Sequence, residues 1–116
     1  MIAELTARLA ELAALTQTTT YGALARDLGL TGPATIARLT DALENLMEED
    51  AAQNSPFRAA LLSARGSPLP AQGFFQRAAE LGRDTGGDPD AFVTAERTSL
   101  FSIHSGTYTP QGVRGV

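Results

Sequence analysis

A chain of 116 residues has room for one domain, and the absence of cysteine excludes disulfides, thiolate nucleophiles and cysteine metal sites. Leu, Ile, Val and Phe together number 26 and Ala alone 20, so a mainly α domain with a thin core is expected, because alanine favours helix and buries little area. The net charge of −4 speaks against a general polyanion binder, whose domain is usually basic.

Charge is unevenly placed. Asp41, Glu44, Glu48, Glu49 and Asp50 crowd into ten residues without a base, whereas residues 51–79 hold Arg58, Arg65 and Arg77 and no acid. All nine basic residues are arginine, which a GC-rich coding bias explains without any recognition role. No run approaches the roughly 20 apolar residues of a membrane span, and the N-terminus lacks a basic signal-peptide start. A cytoplasmic protein with no membrane partner is expected.

In chain order, Ile2, Leu5, Leu9, Leu12 and Leu15 form a stripe that predicts a helix over 2–16. It should pack on the helix pair that follows, with a short coiled-coil dimer as the alternative. Gln17-Thr18-Thr19-Thr20 breaks the pattern, and Thr20 can cap a helix from Tyr21 to Leu28 through its hydroxyl. Gly29 should end that helix as a C′ glycine, with Leu30 packing back. Pro33 suits the first turn of a third helix reaching about Ala52, whose stripe is Ile36, Leu39, Leu43, Leu46 and Met47. Two helices joined across Gly29-Leu30-Thr31-Gly32 are either a helix-turn-helix or an ordinary helical hairpin.

Phe57 to Ala64 favours helix by its Ala/Leu content, but its length, its flanking Pro56 and Gly66 and the family resemblance given below lead to the expectation of a strand with Phe57, Ala59 and Leu61 on one face. Arg65 to Gln72, with Gly66, Pro68 and Pro70, is expected to be an irregular wing. A helix from about Ala71 or Gly73 to Leu81 would bury Phe74, Phe75, Ala78 and Leu81 and stop at Gly82. Asp88-Pro89-Asp90 is a helix start: a capping Asp, Pro at the first helical position and an acid at the positive end of the dipole. That last helix should reach about Ile103, giving one domain over 1–104 and a flexible tail over 105–116.

Chemistry-bearing clusters are missing. His104 is the one histidine, so neither a Ser-His-Asp set nor a histidine metal site is proposed. Asp84, Asp88 and Asp90 do not make a calcium loop, since Pro89 stands where glycine is needed and no Glu closes it. Gly66 and Gly73 are not a phosphate loop in a chain without lysine. Asp41, Glu44 and Glu48 share one face of a helix and read as a solvated surface. No enzyme, catalytic residue, metal or cofactor is expected.

Tyr21-Gly22, Leu24-Ala25, a second helix, an apolar segment after Pro56 and a Gly/Pro wing resemble the C-terminal winged-helix domain of the alkylguanine-DNA alkyltransferases and their alkyltransferase-like relatives, over roughly residues 18–75. The resemblance implies a winged-helix-like three-helix core with a short strand and wing, followed by two further helices. In that family the tyrosine helps extrude a damaged base and an arginine of the second helix fills the gap. That arginine position falls nearest Ala37, with Arg38 one residue away, about 100° around the helix. The family's Pro-Cys-His-Arg segment is here Pro56-Phe57-Arg58-Ala59, so alkyl transfer is excluded. The scaffold, shared by many small bacterial and phage proteins, is what the resemblance carries over, and fold alone does not fix function.

Two functional readings follow. In the first, a DNA-binding or regulatory module contacts double-stranded DNA with Tyr21, Arg38, Arg58 and Arg65. In the second, an adaptor uses the acidic helix and the glycine-rich tail to bind a protein partner or a second copy of itself.

Overall fold

The computed structural model describes residues 2–83 and 86–108. They form α1 (Ile2–Ala14), β1 (Thr19–Thr20), α2 (Tyr21–Asp27), α3 (Thr35–Ala52), a 3-10 turn (Arg58–Leu61), β2 (Leu62–Ser63), α4 (Gln72–Glu80) and α5 (Pro89–Tyr108). The molecule is mainly α, with one two-stranded parallel ladder pairing Thr19 with Leu62 and Thr20 with Ser63. No helix among the described residues is long and apolar enough to cross a membrane.

Local signals place the helix ends. The Thr20 hydroxyl accepts from the Ala23 N–H at 3.1 Å and opens α2. Gly29, at φ +71°, lets the chain reverse so that its own N–H bonds to the Arg26 carbonyl and the Leu30 N–H to the Ala25 carbonyl, both at 3.0 Å. The same double bond closes α1 with Thr16 in the left-handed position (φ 57°), where a β-branched residue costs about 1–2 kcal/mol. Asn54 (φ 56°) ends α3 in this way, and its loop then turns toward Pro56. Asp88 caps α5 by accepting from the Ala91 N–H at 3.1 Å.

Several expectations are corrected. Pro33 does not begin α3; Ala34 adopts φ 60° and the helix starts at Thr35, with the turn exposed to solvent. Phe57–Ala64 is not an alternating strand: Ala59, Ala60, Leu61 and Leu62 are all buried, which a strand with one solvent face does not allow but a 3-10 turn packed on every side does. Only Leu62 and Ser63 extend, and their partner is the threonine run read from sequence as a simple break. The α1 stripe packs chiefly on α5 and on the 3-10 turn, rather than on the α2–α3 pair. Leu15, expected at its end, is exposed because α1 stops before it. The backbone of α5 continues past Ile103 to Tyr108, since a single Gly106 weakens a helix without ending it. The rest of the expected tail, residues 109–116, lies outside the described residues.

The core joins Leu5, Leu9 and Leu12 of α1, Leu24 of α2, Leu39, Leu43, Leu46 and Met47 of α3, Phe57, Leu61 and Leu62 of the central segment, Phe74 of α4, and Val93 and Leu100 of α5. Segment 57–63 runs through the middle, so its polar backbone needs partners from the surrounding helices. Glu96 accepts from the Phe57 N–H at 2.8 Å, and Asp50 accepts from the Arg58 N–H at 2.9 Å. Arg97 donates from Nε to the Ala60 carbonyl at 2.7 Å and from Nη2 to the Leu62 carbonyl at 3.2 Å. Three charged side chains thus hold one buried segment. Burial pulls the Arg97 pKa down from its ordinary value.

Candidate functional site

A groove of about 650 Å³ lies between the start of α2, the front of α3 and the loop after β2. Its floor is Thr20 to Ala23, one wall is Ile36 and Thr40, and the other is Ala64, Arg65, Gly66 and Ala71, with Arg26 at the α2 side. The walls follow from local structure. Arg26 stands one helical turn after Gly22, and a Cβ added to that glycine would meet the Arg26 guanidinium at 3.8 Å. Ile36 and Thr40 are likewise one turn apart on α3.

The loop wall is irregular yet tied. Ala64 donates its N–H to the Leu69 carbonyl at 2.7 Å, Ser67 donates to the Ala64 carbonyl at 3.0 Å, and the Ser63 hydroxyl donates to the Pro68 carbonyl at 3.3 Å. Tyr21 fastens its far end by accepting from the Ala71 N–H at 3.1 Å. Arg65 therefore projects from a braced loop.

Burial raises the Tyr21 pKa above its ordinary value, and the hydrogen bond from Ala71, which favours the phenolate, offsets this only in part. A folded value above the unfolded one means that this contribution to stability is whole below the ordinary value of about 10 and is lost as pH rises through the folded value. Ultraviolet titration should show one of the two tyrosines ionising later than a free phenol, and Tyr21→Phe should remove that late step. An unchanged curve in Tyr21→Phe would contradict the assignment.

Of the four residues expected to contact DNA, the structure brings Tyr21 and Arg65 to one groove. Arg38 is exposed near the front of α3, outside the groove lining, and its Nη2 donates to the Thr31 carbonyl at 2.7 Å. Arg58 is elsewhere: its Nη2 pairs with Asp50 at 2.9 Å and reaches Glu49 at 3.5 Å. Asp50 is 3% exposed, so Arg58 serves as the counter-charge of a buried acid. Arg26 was missed from sequence, although its spacing from Gly22 could have placed it on the same flank of α2.

Ion pairing separates the described arginines into two sets, apart from Arg97, which is spent on the Ala60 and Leu62 carbonyls. Arg8 binds Glu11 and Asp27, Arg58 binds Glu49 and Asp50, Arg77 binds Glu48 and Glu80, and Arg83 binds Glu96. Arg26, Arg38 and Arg65 have no carboxylate partner among the described residues. The groove lining contains two of these three and no acid. A second cleft of about 640 Å³ runs from Asn54–Pro56 to α5, but its charged groups, Arg83 and Glu96, neutralise each other at 3.1 Å.

Comparison with protein-family models, with curated proteins and with solved structures gives no match to this chain.

Proposed function

We propose that the chain is a non-enzymatic winged-helix-like module that binds duplex DNA at the α2–α3 groove, with loop 64–71 as its wing. The observation that carries this reading is that Arg26 and Arg65 stand without a carboxylate partner across a groove without acids, beside Arg38, which also has no carboxylate partner and donates only to the Thr31 carbonyl. Phosphates are the natural partners of exposed guanidinium groups, and such contacts set position rather than sequence. The first turn of α3 adds to the attraction, since it holds no acid and its N–H groups receive no side-chain cap.

The acidic block weakens this reading less than its formal charge suggests. Glu48, Glu49 and Asp50 are engaged by Arg77 and Arg58, which leaves Asp41 and Glu44 as the acids of that helix without an ion pair among the described residues. An adaptor that recruits a basic protein through the same acids would have to break those pairs. The DNA reading is preferred on that ground.

Fluorescence anisotropy on a labelled duplex at low salt tests it. Two or three phosphate contacts give a slope of log K against log[salt] of about −2 to −3, with dissociation constants on the order of 1–100 μM. No binding at low salt within that protein range would overturn the reading.

A further inference from the structure

We infer that Ile36 is an apolar wedge that bends the bound duplex at a flexible base step; the inference rests on the DNA reading above. Three large apolar side chains are exposed among the described residues, Leu15, Ile36 and Ile103, and Ile36 alone of these lines the arginine groove. It is 47% exposed although the sequence stripe assigns it to the core. The reason is the start of α3. Of residues 31–38 only Thr35 is not exposed, so the turn at Ala34 (φ 60°) and the first helical turn after it stand clear of the body.

This placement has a consequence for a bound duplex. Arg26 and Arg65 line the same groove as Ile36, so phosphates gripped by the arginines bring base edges onto the isoleucine. An apolar side chain there gains nothing from the backbone, which is charged. It gains from entering a partly unstacked step, the way minor-groove architectural proteins kink DNA. Pyrimidine–purine steps unstack at least cost, so a central TA step is preferred over a stiff A-tract or a GC step.

Energy transfer between dyes at the two ends of a short duplex reads the bend directly. With the wild-type chain a TA-centred duplex should shorten in line with a bend of about 20–90°. Ile36→Ala should still bind, roughly three- to tenfold more weakly, and should lose both the bend and the TA preference, while Ile36→Leu keeps both. Circular dichroism should be unchanged, because the side chain is not in the core. Binding without a bend, or an equal bend with Ile36→Ala, overturns the wedge and leaves the phosphate-contact reading standing. No binding by the wild-type chain overturns both.

Discussion

Phe57→Ala is expected to lower the stability of the fold by about 3–5 kcal/mol, the usual cost of emptying a fully buried aromatic site. Phe57 is 0% exposed. Its ring meets Phe74 edge-on, with centroids 6.0 Å apart and an interplanar angle of 85°, and the Arg83 guanidinium carbon lies 4.0 Å from its centroid. Alanine would abandon both contacts and leave Arg83 over a cavity. A thermal midpoint about 10–20 °C lower follows for a domain of this size, measured by circular dichroism because the chain has no tryptophan. A change below about 1 kcal/mol would mean that the site collapses and that Phe57 is not a keystone of the core. This is the position at which the alkyltransferase resemblance puts a reactive thiol, and here it is closed to solvent.

Asp50→Ala should cost about 2–4 kcal/mol, slightly less than a wholly buried ion pair because the Arg58 side chain keeps a quarter of its exposure. The carboxylate takes hydrogen bonds from the Arg58 N–H at 2.9 Å and from its Nε at 3.0 Å, and an ion-pair contact from its Nη2 at 2.9 Å. Removing the acid leaves a backbone donor without its partner and a guanidinium without its close counter-charge. Asp50→Asn keeps an acceptor and should lose less. In urea unfolding, Asp50→Ala combined with Arg58→Ala should cost less than the sum of the two single changes, since either change alone already breaks the carboxylate–guanidinium pair. Strict additivity would contradict the pairing.

The fold was legible where its cause is local. The Thr20 cap, the Gly29 reversal and the Asp88-Pro89 start each depend on two to four neighbouring residues, and each forms as read. The 57–63 segment was misread because its conformation answers to distant partners. Glu96 and Arg97 supply what its backbone lacks, and their separation of more than thirty residues leaves no mark in a local pattern. The parallel ladder is hidden for the same reason, as two residues cannot show alternation. In the candidate groove, Tyr21 and Arg65 are the residues that motif and loop single out in the sequence. The acid-free stretch 51–79 groups Arg58 with them, but its partner Asp50 lies just outside that stretch and is buried against it, a pairing that local charge counting does not reveal. Ile36 keeps the helical period of its stripe, but it sits in the exposed first turn of α3, beyond the reach of the core.

Chemical-shift mapping with a short duplex at low salt tests the central claim most directly. The DNA reading places the contact at the groove, so backbone amide signals of residues 20–26, 36–40 and 64–66 should move on titration and return as salt is added. Signals from the second cleft, such as Asn54, Ser99 and Ser102, should stay in place. Shifts confined to that second cleft, or none at all, would contradict the assignment of the α2–α3 groove as a DNA-binding surface.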